Sequence, residues 1–134
     1  MSTTSGDQGP ELEMARHSTS SQLIAADKVA GTAVFDAKGE RLGAIETFMI
    51  DKVSGRAGYA VLSYGGFLGI GARRYPLPWA TLKYDRDLGG YVIDLDRSVL
   101  EAAPSYDDGE PVAWEDRVWG ERVHDYYQAR PYWM

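Results

Sequence analysis

From residue 32 onward, apolar residues recur in short runs, each closed by a polar turn that carries glycine. The run 32–35 ends at Asp36-Ala37-Lys38-Gly39, and the run 42–50 ends at Asp51-Lys52-Val53-Ser54-Gly55. Both turns put Gly where a positive φ is wanted. The repeat of Asp…Gly turns predicts that strands 32–35, 42–50 and 56–64 form a meander. A glycine-rich loop, 65–71, comes next. Short strands at 73–77 and 81–84 then flank Pro76 and Pro78, residues tolerated only at an edge or a break between strands. A last turn, 85–90, leads to the cleanest alternation in the chain, with Tyr91, Ile93 and Leu95 facing one way.

Two stretches break the alternation. Ile45, Phe48 and Ile50 cannot share one face of 42–50 without a bulge, a feature expected where a small barrel bends sharply. The stretch 59–62 is apolar on both sides, so its outer face needs a cover, either the C-terminal segment or a second copy of the protein. Short strands spaced by glycine turns favour a small barrel or sandwich over an α/β fold. Beyond them, 98–103 allows one or two helical turns before Pro104. The stretch 111–128 carries the best helical pattern, with Trp119, Val123, Tyr126 and Tyr127 on one face and Glu115, Asp116, Glu121, Arg122 and Asp125 elsewhere. Gly120 weakens that helix by about 1 kcal/mol relative to Ala, so packing must help to hold it. The organisation expected is a flexible leader at 1–22, too poor in apolar residues to offset chain entropy, a mainly β barrel domain at 23–106, and a C-terminal helix with an aromatic tail at 107–134. A short amphipathic piece, Leu12 to Met14 with Leu23 and Ile24, gives the leader a means of docking on the domain.

Composition narrows the function classes. A chain of 134 residues is one domain's worth, and its small core must draw on nine Tyr, four Trp and three Phe. A net charge of −6 argues against a nucleic-acid partner, because binding to phosphates draws on a concentrated basic stripe. Inside the domain the adjacent basic pair is Arg73-Arg74. The absence of cysteine excludes disulfides, thiolate metal sites and thiol nucleophiles and is compatible with a reducing cytoplasm. No stretch approaches the ~20 apolar residues of a membrane span, so any membrane contact would be peripheral. The leader has no basic start followed by an apolar run and is not a secretory signal. A cytoplasmic protein is expected.

Three strings taken together resemble a known family. They are 31–46 (GTAVFDAKGERLGAIE), 50–62 (IDKVSGRAGYAVL), and Leu68-Gly69-Ile70-Gly71 followed by Tyr75-Pro76-Leu77-Pro78-Trp79. In order and spacing they resemble the PRC-barrel family, named for the cytoplasmic domain of the photosynthetic reaction-centre H subunit. The resemblance covers roughly 27–106. The ending His124-Asp125-Tyr126-Tyr127 with Arg130-Pro131-Tyr132-Trp133 is similar to that of free-standing bacterial members. What the resemblance implies is a strongly bent six-stranded barrel used for protein–protein contact, with no catalytic residue to carry over and no cofactor. It also raises association with a membrane or photosynthetic complex, by family analogy alone. No membrane helix stands ahead of the barrel, which sets the chain apart from an H subunit.

Candidate chemistry is sparse. The loop 65–71 lacks the Lys-Ser/Thr of a phosphate-binding loop, and Arg73, Arg74, Tyr75 and Pro76 read as strand rather than as the helix a dinucleotide site needs. Glu121 and His124 have the E-x-x-H spacing of di-iron bundles, but the partner pair is missing, and His17 in the leader is the only other histidine. A solvated helical face is expected there instead. The pairs Asp85/Asp87 and Asp94/Asp96 read as turn or surface residues, and Asp107-Asp108-Gly109-Glu110 lacks the ligand alternation of an EF-hand loop. A non-enzymatic docking module, paired with itself as a homodimer, is therefore the leading expectation. Its interface candidates are Phe67, Leu68, Tyr75, Trp79, Trp119, Tyr126, Tyr127, Pro131, Tyr132 and Trp133. The alternative is an RNA- or small-ligand-binding accessory factor that uses the glycine loop with Arg73 and Arg74 as an anion site.

Overall fold

The computed structural model describes residues 23–66 and 71–134. The leader 1–22 and loop positions 67–70, with the interface candidates Phe67 and Leu68, lie outside the described residues.

A short helix α1 (Ala26–Val29) precedes strands β1 (Ala33–Phe35), β2 (Arg41–Ile50), β3 (Ala57–Tyr64) and β4 (Arg73–Pro78). A 3-10 turn (Trp79–Thr81) then leads to β5 (Leu82–Asp85), β6 (Gly90–Ile93), helix α2 (Arg97–Glu101), β7 (Tyr106–Asp107) and helix α3 (Arg117–Tyr127). The Asp…Gly turns form as predicted, through one recurring device. Asp36 Oδ1 accepts the N–H groups of Lys38 and Glu40, Asp51 Oδ1 those of Val53 and Ser54, and Asp85 Oδ1 those of Asp87 and Leu88. The glycines that follow, Gly39, Gly55 and Gly89, all have positive φ.

Strands β1 to β3 make the predicted antiparallel meander, β4 extends it, and β5 and β6 make a hairpin. The predicted irregularity in β2 is real: its register with β3 shifts between Ile45 and Thr47 and again between Met49 and Ile50. Pro76 and Pro78 lie in β4 opposite Val61 and Tyr59. Their other side is an edge, since β7 pairs only with Arg73 and Arg74.

The expected six-stranded barrel needs correction. The described residues form a seven-stranded mixed sheet in the order β5-β6-β1-β2-β3-β4-β7, with no ladder joining its two ends. The parallel pairing of β1 with β6 makes the sheet mixed, and the two-residue β7 is the added strand. Connectivity still forces strong curvature. β4 and β5 lie near opposite ends of the strand order, yet only Trp79–Thr81 separates them in sequence. A link that short spans at most about 14 Å from Pro78 to Leu82, so the sheet must curl enough to bring the end of β4 near the start of β5.

The core fills the concave side. Ile45, Ala60, Leu62, Leu77 and Ile93 are buried there with Leu100 of α2. The opposite face of β3 is just as closed, with Tyr59 at 2% exposure and Val61 at 0%. Pro76 and Pro78, their neighbours on β4, are also fully buried, and α3 packs against β4. The cover predicted for β3 therefore comes from its own chain. Helix α3 is shorter than the predicted 111–128, because Asp116 caps it by accepting the N–H groups of Val118 and Trp119. Its buried face is also rotated from the expected one. Gly120, Val123 and His124 are buried, whereas Tyr126 is 37% exposed and donates its hydroxyl to Val99 O on α2.

Candidate interaction surface at the aromatic C-terminal segment

Tyr59 of β3 is the hub of the outer face. Its ring lies 5.6 Å from Trp114, 6.1 Å from Trp119, 5.3 Å from His124 and 5.6 Å from Tyr132, centroid to centroid. Tilted and edge-on pairs at such separations are the favourable geometry for aromatic rings. Two glycines let the tail approach. A Cβ on Gly58 would sit 3.1 Å from the Tyr132 ring, and one on Gly120 would sit 3.0 Å from Trp133 and 3.2 Å from the Tyr59 hydroxyl. The residue that weakens α3 as a helix thus gives it a notch for two rings. Trp133 also lies 5.1 Å from His124, and the Arg117 guanidinium stacks 4.7 Å over its ring.

His124 contradicts the solvated face expected for the Glu121/His124 pair. It is 1% exposed, and its Nδ1 lies 2.7 Å from the Gly120 carbonyl one turn earlier. A carbonyl only accepts, so Nδ1 carries the proton. Glu121 is on the exposed side of α3. Among the described residues no group of three or more metal-ligating side chains comes together. Burial sends the Tyr59 phenol far above the ordinary tyrosine range, with Tyr132 adding to the effect, and burial does the same to Tyr127. Neither hydroxyl has a hydrogen-bond partner among the described residues.

The other interface candidates scatter. Tyr75 is a core residue, 4% exposed and edge-on to Tyr64. Trp79 is half-buried between Phe48 and Tyr91. Tyr127 packs on the core cluster, away from the tail rings. Trp119, Pro131, Tyr132 and Trp133 remain half-buried around the outer face. The strip beside them was not predicted. Met49, Ile50 and Val53 line a groove of about 320 Å³ with Tyr59, Trp114, Tyr132 and Trp133, and with the charged residues Asp51, Lys52, Glu115 and Arg117; Val53 is 98% exposed. The sequence held a signal for it, an unmatched valine at the tip of the Asp51–Gly55 turn. Arg73 and Arg74, the anion-site candidates, both meet carboxylates. Arg73 binds Asp107 at 2.6 Å, and Arg74 binds Glu46 at 2.9 Å.

The family model for the PRC-barrel domain matches residues 22–100, more than half of the chain. The chain belongs to the PRC-barrel family. Members of that family are generally non-catalytic. A comparison with curated proteins finds no match. The match ends at residue 100, so β7, α3 and the aromatic tail lie beyond the matched residues. No helix among the described residues is long and apolar enough to cross a membrane.

Proposed function

We propose that this chain is a non-enzymatic docking module that pairs with a second copy of itself through the apolar strip beside its aromatic tail. The observation that carries this reading is the exposure of Val53 and Ile50, at 98% and 45%, next to the half-buried rings of Trp114, Tyr132 and Trp133. Exposed apolar side chains that continue into partly buried aromatic rings are what a partner surface looks like before it is covered. Self-pairing is favoured because one strip supplies both halves of a two-fold contact. The alternative reading, an anion-binding role for Arg73 and Arg74, has less support, since Asp107 and Glu46 already meet those charges.

Sedimentation velocity over a range of concentrations tests the proposal. The wild-type chain should sediment as a reversible dimer. Ile50→Asp and Val53→Asp should each shift it to monomer while melting with the wild-type chain at concentrations low enough for both to be monomeric. A wild-type chain that stays monomeric, or variants that still dimerise, would refute it.

A further inference from the structure

A second depression opens on the tail. It is a cleft of about 460 Å³ between the start of β3, the Trp79 turn and the segment after α3. Its size falls in the range of small-molecule sites, about 300–1,000 Å³. Its chemistry differs from that of the apolar strip, with which it shares only Gly58 and Tyr132. Arg56 and Arg130 both line it, and no acidic side chain does.

Three other arginines already have partners. Arg73 and Arg74 are met by carboxylates, and Arg117 is stacked on Trp133. Arg56 and Arg130 form no ion pair among the described residues. The Asp51 carboxyl feels the charge of Arg56, but only as the least of its influences, after the Val53 N–H. His124 lines the same cleft. Because Nδ1 donates to Gly120 O, Nε2 is the ring nitrogen left for a ligand. It can accept from a ligand hydroxyl when the ring is neutral, or donate to a ligand oxygen when the ring is charged. Pro78, Trp79, Pro131 and Tyr132 supply flat apolar walls.

We infer that this cleft binds a small organic anion, a carboxylate or phosphate monoester carried on a flat apolar body. The planar fork of Arg suits either head group, and the proline and aromatic walls suit the body. The inference stands apart from the docking proposal, since the two surfaces are tested by different residues.

Phenyl phosphate and benzoate serve as probes, with benzyl alcohol as the uncharged match and inorganic phosphate as the head group alone. Binding is read by calorimetry and tryptophan fluorescence at low salt. Both aromatic anions should saturate below about 10 mM, a weak but specific affinity, and should bind more tightly than benzyl alcohol or inorganic phosphate. The double variant Arg56→Gln/Arg130→Gln should weaken them about tenfold or more, as expected for lost charge-assisted hydrogen bonds. Arg122→Gln, on the exposed side of α3, should leave binding unchanged. Absence of saturable binding would overturn the inference. So would equal binding of benzyl alcohol or inorganic phosphate, or an equal loss in the Arg122 variant.

Discussion

Tyr59 shows how much of the outer face rests on single side chains. Its ring touches four others, yet its hydroxyl is buried without a partner. A buried hydroxyl that lacks a hydrogen bond costs about 1–3 kcal/mol. Tyr59→Phe should therefore raise stability by roughly 1 kcal/mol in urea denaturation, while Tyr59→Ala should lose about 3–5 kcal/mol, as for other large aromatics. The same burial sets a pH dependence. The phenols of Tyr59 and Tyr127 ionise less readily in the folded chain than in the unfolded one. Stability from this source is thus complete below the unfolded tyrosine pKa of about 10 and is lost as the pH rises above it. Ultraviolet titration should show these two phenols ionising only as the chain unfolds, and the Tyr59→Phe/Tyr127→Phe variant should resist alkaline unfolding better than wild type. Gly43 makes a separate case. A Cβ there would meet the Ser63 carbonyl oxygen of the paired strand, and backbone cannot yield as a side-chain tip can. Gly43→Ala should cost about 2 kcal/mol or more.

Among the elements, α3 carries two local terms that mutation can isolate. Asp116 caps its first turn, and Asp116→Ala should cost about 1 kcal/mol. Gln128 ends it in the left-handed conformation, at φ 54°, a state that strains any residue with a Cβ. Gln128→Gly should gain up to about 1 kcal/mol by supplying the usual C-terminal residue. Thermal melts of the two variants should move in opposite directions. The β2 bulges, the Asp…Gly turns and the double-sided burial of β3 were all legible in the sequence, because each follows from residues a few positions apart. The parallel pairing of β1 with β6 was not, since Val34 and Tyr91 are brought together by curvature that no local pattern encodes. His124 was misread for a related reason. Spacing alone put it on the polar side of a helix, and only the Gly120 notch with the approach of Trp133 turns that side into an interior. The interface candidates divided likewise. Tyr132 and Trp133 lie half-buried on the outer face of their own chain, whereas Tyr75 alternates into the core.

For the whole molecule, the chain beyond the matched residues 22–100 closes the outer face of the curled sheet. α3 and the tail cover β3 and β4 from outside, and Tyr127 packs on the core cluster within. This cover in cis leaves Ile50 and Val53 exposed. An arm reaching across to a second copy would look the same in sequence but not in stability. Removal of residues 129–134, measured by thermal unfolding at a concentration low enough to keep the chain monomeric, separates the two. Loss of the Tyr132 and Trp133 contacts should cost roughly 2–3 kcal/mol and lower the melting temperature by about 5–10 °C, with tryptophan emission shifted to the red. An unchanged melting temperature in the truncated monomer would contradict the cover in cis and assign the tail to a partner chain.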